Sequence, residues 1–299
     1  MGIRIAARGG SARQNLCRSE MDMQPLISII IANYNYGRFL EEAIRSIVAE
    51  NLGDQVELIV CDAASTDNSV EIIRKYTDQI AWWCSEKDGG QSSAFNKGFS
   101  QAKGKYLTWL NADDVIFPGG LRAIIREMVR YPDCEWFVGS MVRCDRELKI
   151  DRCSRAHRFS FLRMRYGNVS VGGPSSFFSR SLWQRVGGVD EDLHYLMDID
   201  LWHKFVRQCH ARYRRTTDYV WAFRVHEDSK MSGLDVSSKE KAKRNREKAR
   251  REGQLLLKRH PMPSQWVRRF VVVLTLSWPD KILSWLDLRR LRGRCAIER

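Results

Sequence analysis

Two adjacent acids end an apolar run in the segment TWLNADD, residues 108–114. Asp113 and Asp114 would repel each other side by side unless a cation holds them. Hard divalent cations such as Mg²⁺ or Mn²⁺ take one or two protein carboxylates and fill their shells with phosphate oxygens and water. Alternatively, one of the acids caps the helix that Pro118 opens. The segment therefore indicates either a metal site at the end of a strand or a helix cap.

Strand-like and helix-like segments alternate through the first 145 residues. Apolar runs predict five strands, at residues 26–32, 56–61, 80–84, 105–110 and 135–142. The segments between them carry apolar residues at helical spacing. This alternation predicts an α/β fold with a mostly parallel central sheet flanked by helices on both faces. No G-x-G-x-x-G follows the first strand and no P-loop motif occurs, so dinucleotide-binding and P-loop sites lack their main support.

Polar residues follow the first four predicted strands. Asn33 follows the first strand, Asp62 ends the second, and Asp88 comes soon after the third. Asn111 begins the acidic segment that follows the fourth strand. Ligands of open parallel sheets bind beyond the carboxyl ends of the strands. We therefore expect these side chains to converge on one edge of the sheet, around a bound ligand.

The positive charge of the chain lies in its C-terminal part. The formal net charge is +14, and residues 239–299 contribute +12 of it through 18 Lys/Arg and 6 Asp/Glu. Residues 1–23 contain no apolar core of a signal peptide and are expected to form a flexible leader. The eight cysteines show no C-x-x-C pair or zinc spacing, which favours a reducing compartment, the cytoplasm.

Residues 264–294 interleave apolar and basic side chains. The stretch is too short and interrupted to span a bilayer. It fits a helix that lies on an anionic membrane surface, a peripheral contact at the inner face of the cell membrane. The alternative is a helical extension that packs on the domain and turns a basic face to solvent. No nucleic-acid-binding module is present, so a nucleic-acid partner is not expected.

Four segments resemble one enzyme family in their order and spacing. They are ISIIIANYNYGRFLEEAIRSI at residues 27–47, ELIVCDAASTDNSVEII at 57–73, SEKDGGQSSAFNKGFSQAKGKYLTWLNADD at 85–114 and MDIDLW at 197–202. Together they resemble the inverting glycosyltransferases of family 2, which have the GT-A fold. The resemblance implies a GT-A domain over residues 24–235, followed by a basic, amphipathic helical extension over residues 236–299.

The resemblance also implies roles for individual residues. Asp198 matches the general base, although Met197 replaces the Glu that precedes it in the family. The metal would be held by Asp113, Asp114 and His226. The residues matched to the nucleotide-sugar site are Ala32, Asn33, Asn35, Asp62, Asp88, Asn96, Lys97, Asn111, Ala112 and Asp113. Asn111 replaces the first Asp of the D-x-D motif, which removes one charge.

Each of these roles has a structural alternative. Asp62 could form only an Asx-turn, Asp198 could cap its helix, and His226 could be a hydrogen-bonded histidine at a strand end.

The implied activity is transfer of a sugar from a nucleotide donor, a UDP-sugar, to a hydroxyl of a glycan or lipid-linked saccharide. An inverting transfer is a single displacement that needs one base, here Asp198, and neutralisation of the departing diphosphate by Mn²⁺ or Mg²⁺. Such an enzyme would serve cell-surface polysaccharide synthesis. Two alternatives remain open: a sugar nucleotidyltransferase, and an inactive carbohydrate-binding protein of the same fold.

Overall fold

A computed structural model describes residues 24–158, 160–166, 171–229, 239–261, 263–275 and 278–297. The predicted leader, residues 1–23, and the predicted domain boundary between residues 235 and 236 lie outside the described residues.

The N-terminal half alternates strands and helices as the sequence predicts. Its elements are β1 (Ile27–Asn33), α1 (Gly37–Val48), β2 (Val56–Asp62), α2 (Ser69–Lys75), β3 (Trp82–Ser85), α3 (Gln91–Gln101) and β4 (Tyr106–Asn111). The four strands are parallel, in the order β3-β2-β1-β4. Neighbouring residues of β1 point to opposite faces, so Ile30 packs with Phe95 of α3, while Ile29 packs with Leu40 of α1. Helices on both faces bury the central strands completely.

The sheet continues with strands of mixed direction. The next elements are β5 (Val115–Ile116), α4 (Gly120–Arg130), β6 (Trp136–Cys144), β7 (Ile150–Ser154), α5 (Ser160–Arg165), β8 (Ser176–Ser179), α6 (Arg180–Arg185), α7 (Met197–Arg207) and β9 (Tyr213–Arg224). The order runs β4-β8-β6-β9-β5, and β7 also pairs with β6. The predicted fifth strand, β6, therefore does not neighbour β4, because β8 inserts antiparallel between them. β8 has only four residues and follows Gly172-Gly173-Pro174. So short a segment shows no clear hydrophobic periodicity, and its pairing could not be predicted from the sequence.

Helix α7 is fixed to the sheet by aromatic packing. Trp202 of α7 is fully buried and stacks on Trp109 of β4 and Trp136 of β6, with ring centroids 5.8 and 5.1 Å apart. Phe205, one turn further along α7, packs edge-on against Trp136. These contacts hold the middle of α7 against β4 and β6.

Three helices end the described chain: α8 (Lys239–Arg259), α9 (Gln265–Leu274) and α10 (Trp278–Leu291). The inner face of α10 packs Leu288 and Leu291 against an apolar cluster that includes Val115. Asp287 of α10 pairs with Arg155 at 2.7 Å and accepts a hydrogen bond from Tyr219 at 2.6 Å. Within the described ranges, none of the helices combines the length and apolarity needed to cross a bilayer.

Candidate active site

The carboxyl ends of the four parallel strands lie side by side. Their registers pair Ala32 with Asn111, Asn33 with Asp62, and Asp62 with Ser85. The polar residues that follow separate strands in the sequence are thus brought to one edge of the sheet, as expected from the strand order.

Asp62 is the centre of a buried hydrogen-bond network at this edge. Its carboxylate accepts hydrogen bonds from Asn33 Nδ2 at 2.7 Å, from the backbone N–H of Ser65 at 3.0 Å and from Ser85 Oγ at 2.6 Å. These bonds connect the ends of β1, β2 and β3. The hydrogen bond from Ser65 N is the Asx-turn that the sequence offered as the structural alternative for Asp62. Contact of Asp62 with a nucleotide base stays a prediction. Ser85 was not predicted, although its place at the end of β3 indicates it.

Asn33 offers an acceptor that the protein leaves unused. The residue is only 3% exposed, and its Oδ1 has no hydrogen-bond partner among the described residues. Because a buried polar atom without a partner is costly, such an atom at a ligand-binding edge fits an N–H or O–H donor of a ligand. Asn35, with a φ of 54°, connects this loop to the next one by accepting a hydrogen bond from Thr66 N at 2.8 Å.

Asp113 and His226 form a pair at the acidic segment. Nε2 of His226 lies 3.0 Å from Asp113 Oδ2, and Nδ1 accepts a hydrogen bond from the backbone N–H of Asp228 at 3.3 Å. The imidazole is buried and packs on the ring of Phe39, with centroids 4.5 Å apart. The backbone bond at Nδ1 fixes the orientation of the ring, so that Nε2 faces the carboxylate.

Asp114 differs from its neighbour in burial and bonding. It is fully buried, and its oxygens accept hydrogen bonds from the backbone N–H of Arg224 at 2.9 Å and from Asn111 Nδ2 at 2.7 Å. Burial, and then the adjacent Asp113 carboxylate, raise the pKa of Asp114 well above its usual range. These hydrogen bonds hold Asp114 to β9 and to Asn111. Coordination of a metal by Asp114 stays a prediction.

The same contacts explain the residue at position 111. Asn111 donates to Asp114 and accepts from Gln91 Nε2 at 2.9 Å, so both ends of its amide are bonded. An aspartate there would place a second carboxylate against buried Asp114, which like-charge repulsion disfavours. Ala112, which is 5% exposed, fills the turn between Asn111 and Asp113. Contact of Asn111 with metal or ribose stays a prediction, and the bonding role of Gln91 was not predicted.

With Nδ1 of His226 accepting from Asp228, the neutral ring carries its proton on Nε2, and Nε2 donates to Asp113 Oδ2 at 3.0 Å. Asp113 and His226 stay the predicted ligands of a divalent cation, and binding at His226 would require Nε2 to give up this proton. Among the described residues, no group of three or more His, Cys, Asp or Glu side chains is arranged to hold a metal. Two protein ligands are sufficient where substrate phosphates and water complete the shell.

Helix α3 connects the acidic edge to α7. Asn96 donates from Nδ2 to Val189 O at 2.8 Å and accepts from Val189 N at 2.9 Å, and Ser92 Oγ donates to Leu193 O at 2.6 Å. Asn96 therefore holds the loop before α7, and its contact with a donor stays a prediction.

The other two predicted residues of this region are bonded locally. Lys97 pairs with Glu86 at 2.9 Å, and Asp88 accepts from Gly90 N at 2.8 Å. Their contacts with a nucleotide sugar also stay predictions.

Asp198 lies in the first turn of α7 and is partly buried. A chain of contacts connects this turn to the acidic segment: Asn111 binds Gln91, and the next residue, Ser92, lies 2.9 Å from Met197 Sδ. The carboxylate of Asp198 accepts a hydrogen bond from the backbone N–H of Ile199 at 2.8 Å. These contacts connect the first turn of α7 to the acidic segment through α3, and the role of Asp198 as the base stays a prediction.

A sheet whose parallel half gathers polar residues at its carboxyl edge and whose other half has strands of mixed direction is typical of the GT-A class of fold. The family model described as Glycosyl transferase family 2 matches residues 28–184, just over half of the chain. The chain belongs to this family.

A curated relative agrees with this assignment. An uncharacterized glycosyltransferase of Rickettsia prowazekii is 33% identical over 61% of this chain and 59% of that protein. The chain thus spans about three fifths of the length of the first curated relatives that it matches.

Solved structures agree in fold. A mannosyltransferase from Pyrobaculum calidifontis, in complex with GDP-Man and Mn²⁺, superposes with a TM-score of 0.56 at 18% identity, covering 89% of this chain and 80% of that one. TarS 1–349 of S. aureus, in complex with UDP-GlcNAc, has a TM-score of 0.54 at 13% identity, covering 87% and 78%. At these identities the likeness extends to the fold alone.

Proposed function

We propose that this protein is an inverting glycosyltransferase that transfers a sugar from a UDP-sugar to a hydroxyl of a glycan or lipid-linked saccharide. The observations that carry the proposal are the Asp113–His226 pair after β4 and the unused acceptor of Asn33 at the end of the neighbouring strand β1. The solved neighbours were crystallised with UDP-GlcNAc or GDP-Man, which supports a nucleotide-sugar donor at this edge.

The mechanism needs few groups from the protein. Asp198 takes the proton of the acceptor hydroxyl as that oxygen attacks the anomeric carbon of the donor. The bond to the diphosphate breaks in the same step, so no covalent enzyme intermediate is required. Asp113 and His226 would hold the divalent cation, which supplies charge neutralisation for the diphosphate. Asn33 and Asp62 orient the nucleotide at the ends of β1 and β2.

Both departures from the family pattern are accommodated by packing. The amide of Asn111 bonds to buried Asp114, and the thioether of Met197 lies against Ser92 in the core. Neither change removes the Asp113–His226 pair or Asp198, so these contacts favour an active enzyme over an inactive binding protein of the same fold.

A thermal-unfolding screen with nucleotide sugars tests the donor. We expect a UDP-sugar to raise the unfolding temperature, and Mn²⁺ to increase the shift. At a ligand concentration 100 times Kd, binding adds about 2.7 kcal/mol to the free energy of unfolding. GDP-, ADP- and CMP-sugars at the same concentration are the controls. Equal shifts with every nucleotide, whether or not metal is present, would contradict the proposal.

For a lipid-linked acceptor, the proposal includes contact with a membrane surface. This contact would be made by the outer face of α9 and α10. Large apolar side chains are exposed there, and the most exposed are Trp266 (80%), Phe270 (64%), Val273 (64%), Leu274 (65%), Trp278 (65%), Ile282 (55%) and Trp285 (54%). Exposed basic residues border them, including Arg269, Lys281 and Arg289. Aromatic side chains beside basic ones suit the interface of an anionic bilayer. The inner face of α10 meanwhile packs on the cluster that contains Val115, one residue after Asp114.

Vesicle binding tests this surface. We expect Trp266→Ser/Phe270→Ser to lower partitioning onto anionic vesicles by at least about tenfold, since each buried aromatic contributes roughly 1.5–3 kcal/mol. Val129→Ser is the control, because Val129 is 71% exposed but lies on α4. Co-sedimentation with vesicles of anionic and of neutral lipid measures the effect. Unchanged binding of the double variant, or equal loss in the control, would exclude this face as the contact.

A further inference from the structure

Glu252 of α8 is a buried acid whose carboxylate binds three successive backbone amides. The residue is 8% exposed. Oε1 accepts the N–H of His194 at 2.9 Å, and Oε2 accepts those of Tyr195 and Leu196 at 2.8 and 3.0 Å. All three amides belong to the chain that leads into α7. Glu252 itself comes from a helix 56 to 58 residues further along the sequence.

This carboxylate binds the backbone directly before α7, and the last of its three amides belongs to the N-cap residue. Leu196 is the N-cap residue of α7, and its side chain cannot accept a hydrogen bond. The first backbone N–H groups of a helix lack partners within the helix, and its N-terminus favours negative charge. Hydrogen bonds from N–H groups to an ionised acceptor are among the stronger ones in proteins. Glu252 therefore stabilises the start of α7 from outside the helix.

The loop before α7, residues 189–196, is held from two sides. On one side, α3 binds it through Asn96 at Val189 and through Ser92 at Leu193. On the other side, α8 binds it through Glu252. Asp198 lies two residues after the last amide that Glu252 binds. The direction of the first turn of α7, and with it the position of the Asp198 carboxylate, depends on both attachments.

Helix α8 is itself well anchored. Leu256 is 4% exposed and packs into the core that contains α7. Arg259 pairs with Asp190 at the start of the loop. His260, directly after α8, lies 2.8 Å from Asp200, one turn into α7. Because α8 contacts residues on both sides of Asp198, it is a stable support for the position of this carboxylate.

We propose that Glu252 is a positioning residue for the base Asp198, so that the C-terminal extension completes the active site. This inference rests on the function proposed above. Displacing a reacting group by ~1 Å can cost ~100-fold in rate. Loss of Glu252 therefore lowers kcat for sugar transfer, while the donor, bound at the strand ends and the Asp113–His226 pair, keeps its affinity.

The test compares Glu252→Ala and Glu252→Gln with Glu247→Ala, an exposed acid on the same helix. We expect kcat to fall roughly 10- to 100-fold in Glu252→Ala, with the Kd for UDP within about twofold of wild type. Glu252→Gln retains one carbonyl acceptor and falls between wild type and the alanine variant. Glu247→Ala keeps wild-type kcat. If Glu252→Ala does not fold, kcat and the Kd for UDP are compared between Glu252→Gln and wild type instead.

Hydrogen exchange separates the inference from the proposed function. Amides 194–196 should exchange at least about tenfold faster in both Glu252 variants, but not in Glu247→Ala. Wild-type kcat in the Glu252 variants, or unchanged exchange at these amides, would overturn the positioning role. A parallel fall in kcat and in UDP affinity would also overturn it, because it would indicate general loss of structure. If wild-type protein itself transfers no sugar from any nucleotide sugar, the proposed function fails and the positioning role fails with it.

Discussion

Asp198→Asn is expected to lower kcat for sugar transfer by about 10²- to 10⁴-fold, the contribution usual for a general base. The amide has nearly the shape of the carboxylate, but it cannot take the proton of the acceptor hydroxyl. Since Asp198 lies in the first turn of α7, apart from the ends of β1 and β2, UDP binding should be unaffected. Steady-state kinetics with the accepted donor, together with calorimetric titration of UDP, measure the two quantities separately.

The matched control is Asp192→Asn. Asp192 is an exposed acid six residues before Asp198, in the loop that precedes α7. We expect this variant to keep wild-type kcat. Full transfer activity in Asp198→Asn would remove Asp198 from the mechanism. A loss of UDP affinity equal to the loss of rate would instead place it at the donor.

Asp113→Asn is expected to remove most of the metal dependence of the enzyme. The carboxylate lies 3.0 Å from His226 Nε2, and carboxylate oxygens are ligands that Mn²⁺ and Mg²⁺ prefer, so Asp113 would be the main protein ligand of the cation. Loss of one group that stabilises developing charge typically costs ~10²- to 10³-fold in kcat. We expect a fall of this size in kcat/KM, and the extra thermal stabilisation that Mn²⁺ adds to UDP should disappear.

Two further variants make this result specific. His226→Gln should weaken the Mn²⁺ effect at the same site, because it removes the second ligand. Asp78→Asn changes an exposed acid elsewhere on the domain and should leave both rate and metal response unchanged. If Asp113→Asn retained a wild-type response to Mn²⁺ in both assays, the cation would have to bind elsewhere.

Local pattern was sufficient to predict the first half of the fold. The apolar runs that become β1, β2, β3 and β4 are continuous because both faces of a parallel strand are buried, so the runs themselves show the strands. Residues at strand ends then meet at one edge by geometry alone, which is why Asn33, Asp62 and Asn111 could be predicted to lie together. The strand order of the second half could not be predicted from local pattern, because β8 has only four residues and joins the sheet antiparallel.

The roles of single atoms depend on contacts between distant parts of the chain. Sequence alone treats Asp113 and Asp114 alike, whereas the fold turns one toward His226 and buries the other against Arg224. The same holds for the tail, where periodicity could not separate the packed face of α10 from the exposed one.

The sequence by itself indicated the family through the resemblance of four segments to known members. It also predicted the parallel strands and the edge at which the polar residues meet, because these follow from local periodicity and from residue types at strand ends. Only the tertiary structure decided that Asp114 bonds to β9, that Asn111 bonds to Asp114, and that Glu252 of α8 binds the backbone before α7. The physical reason is that a hydrogen bond between residues far apart in the chain forms only when the intervening elements have packed. No local pattern records which buried polar atoms will meet.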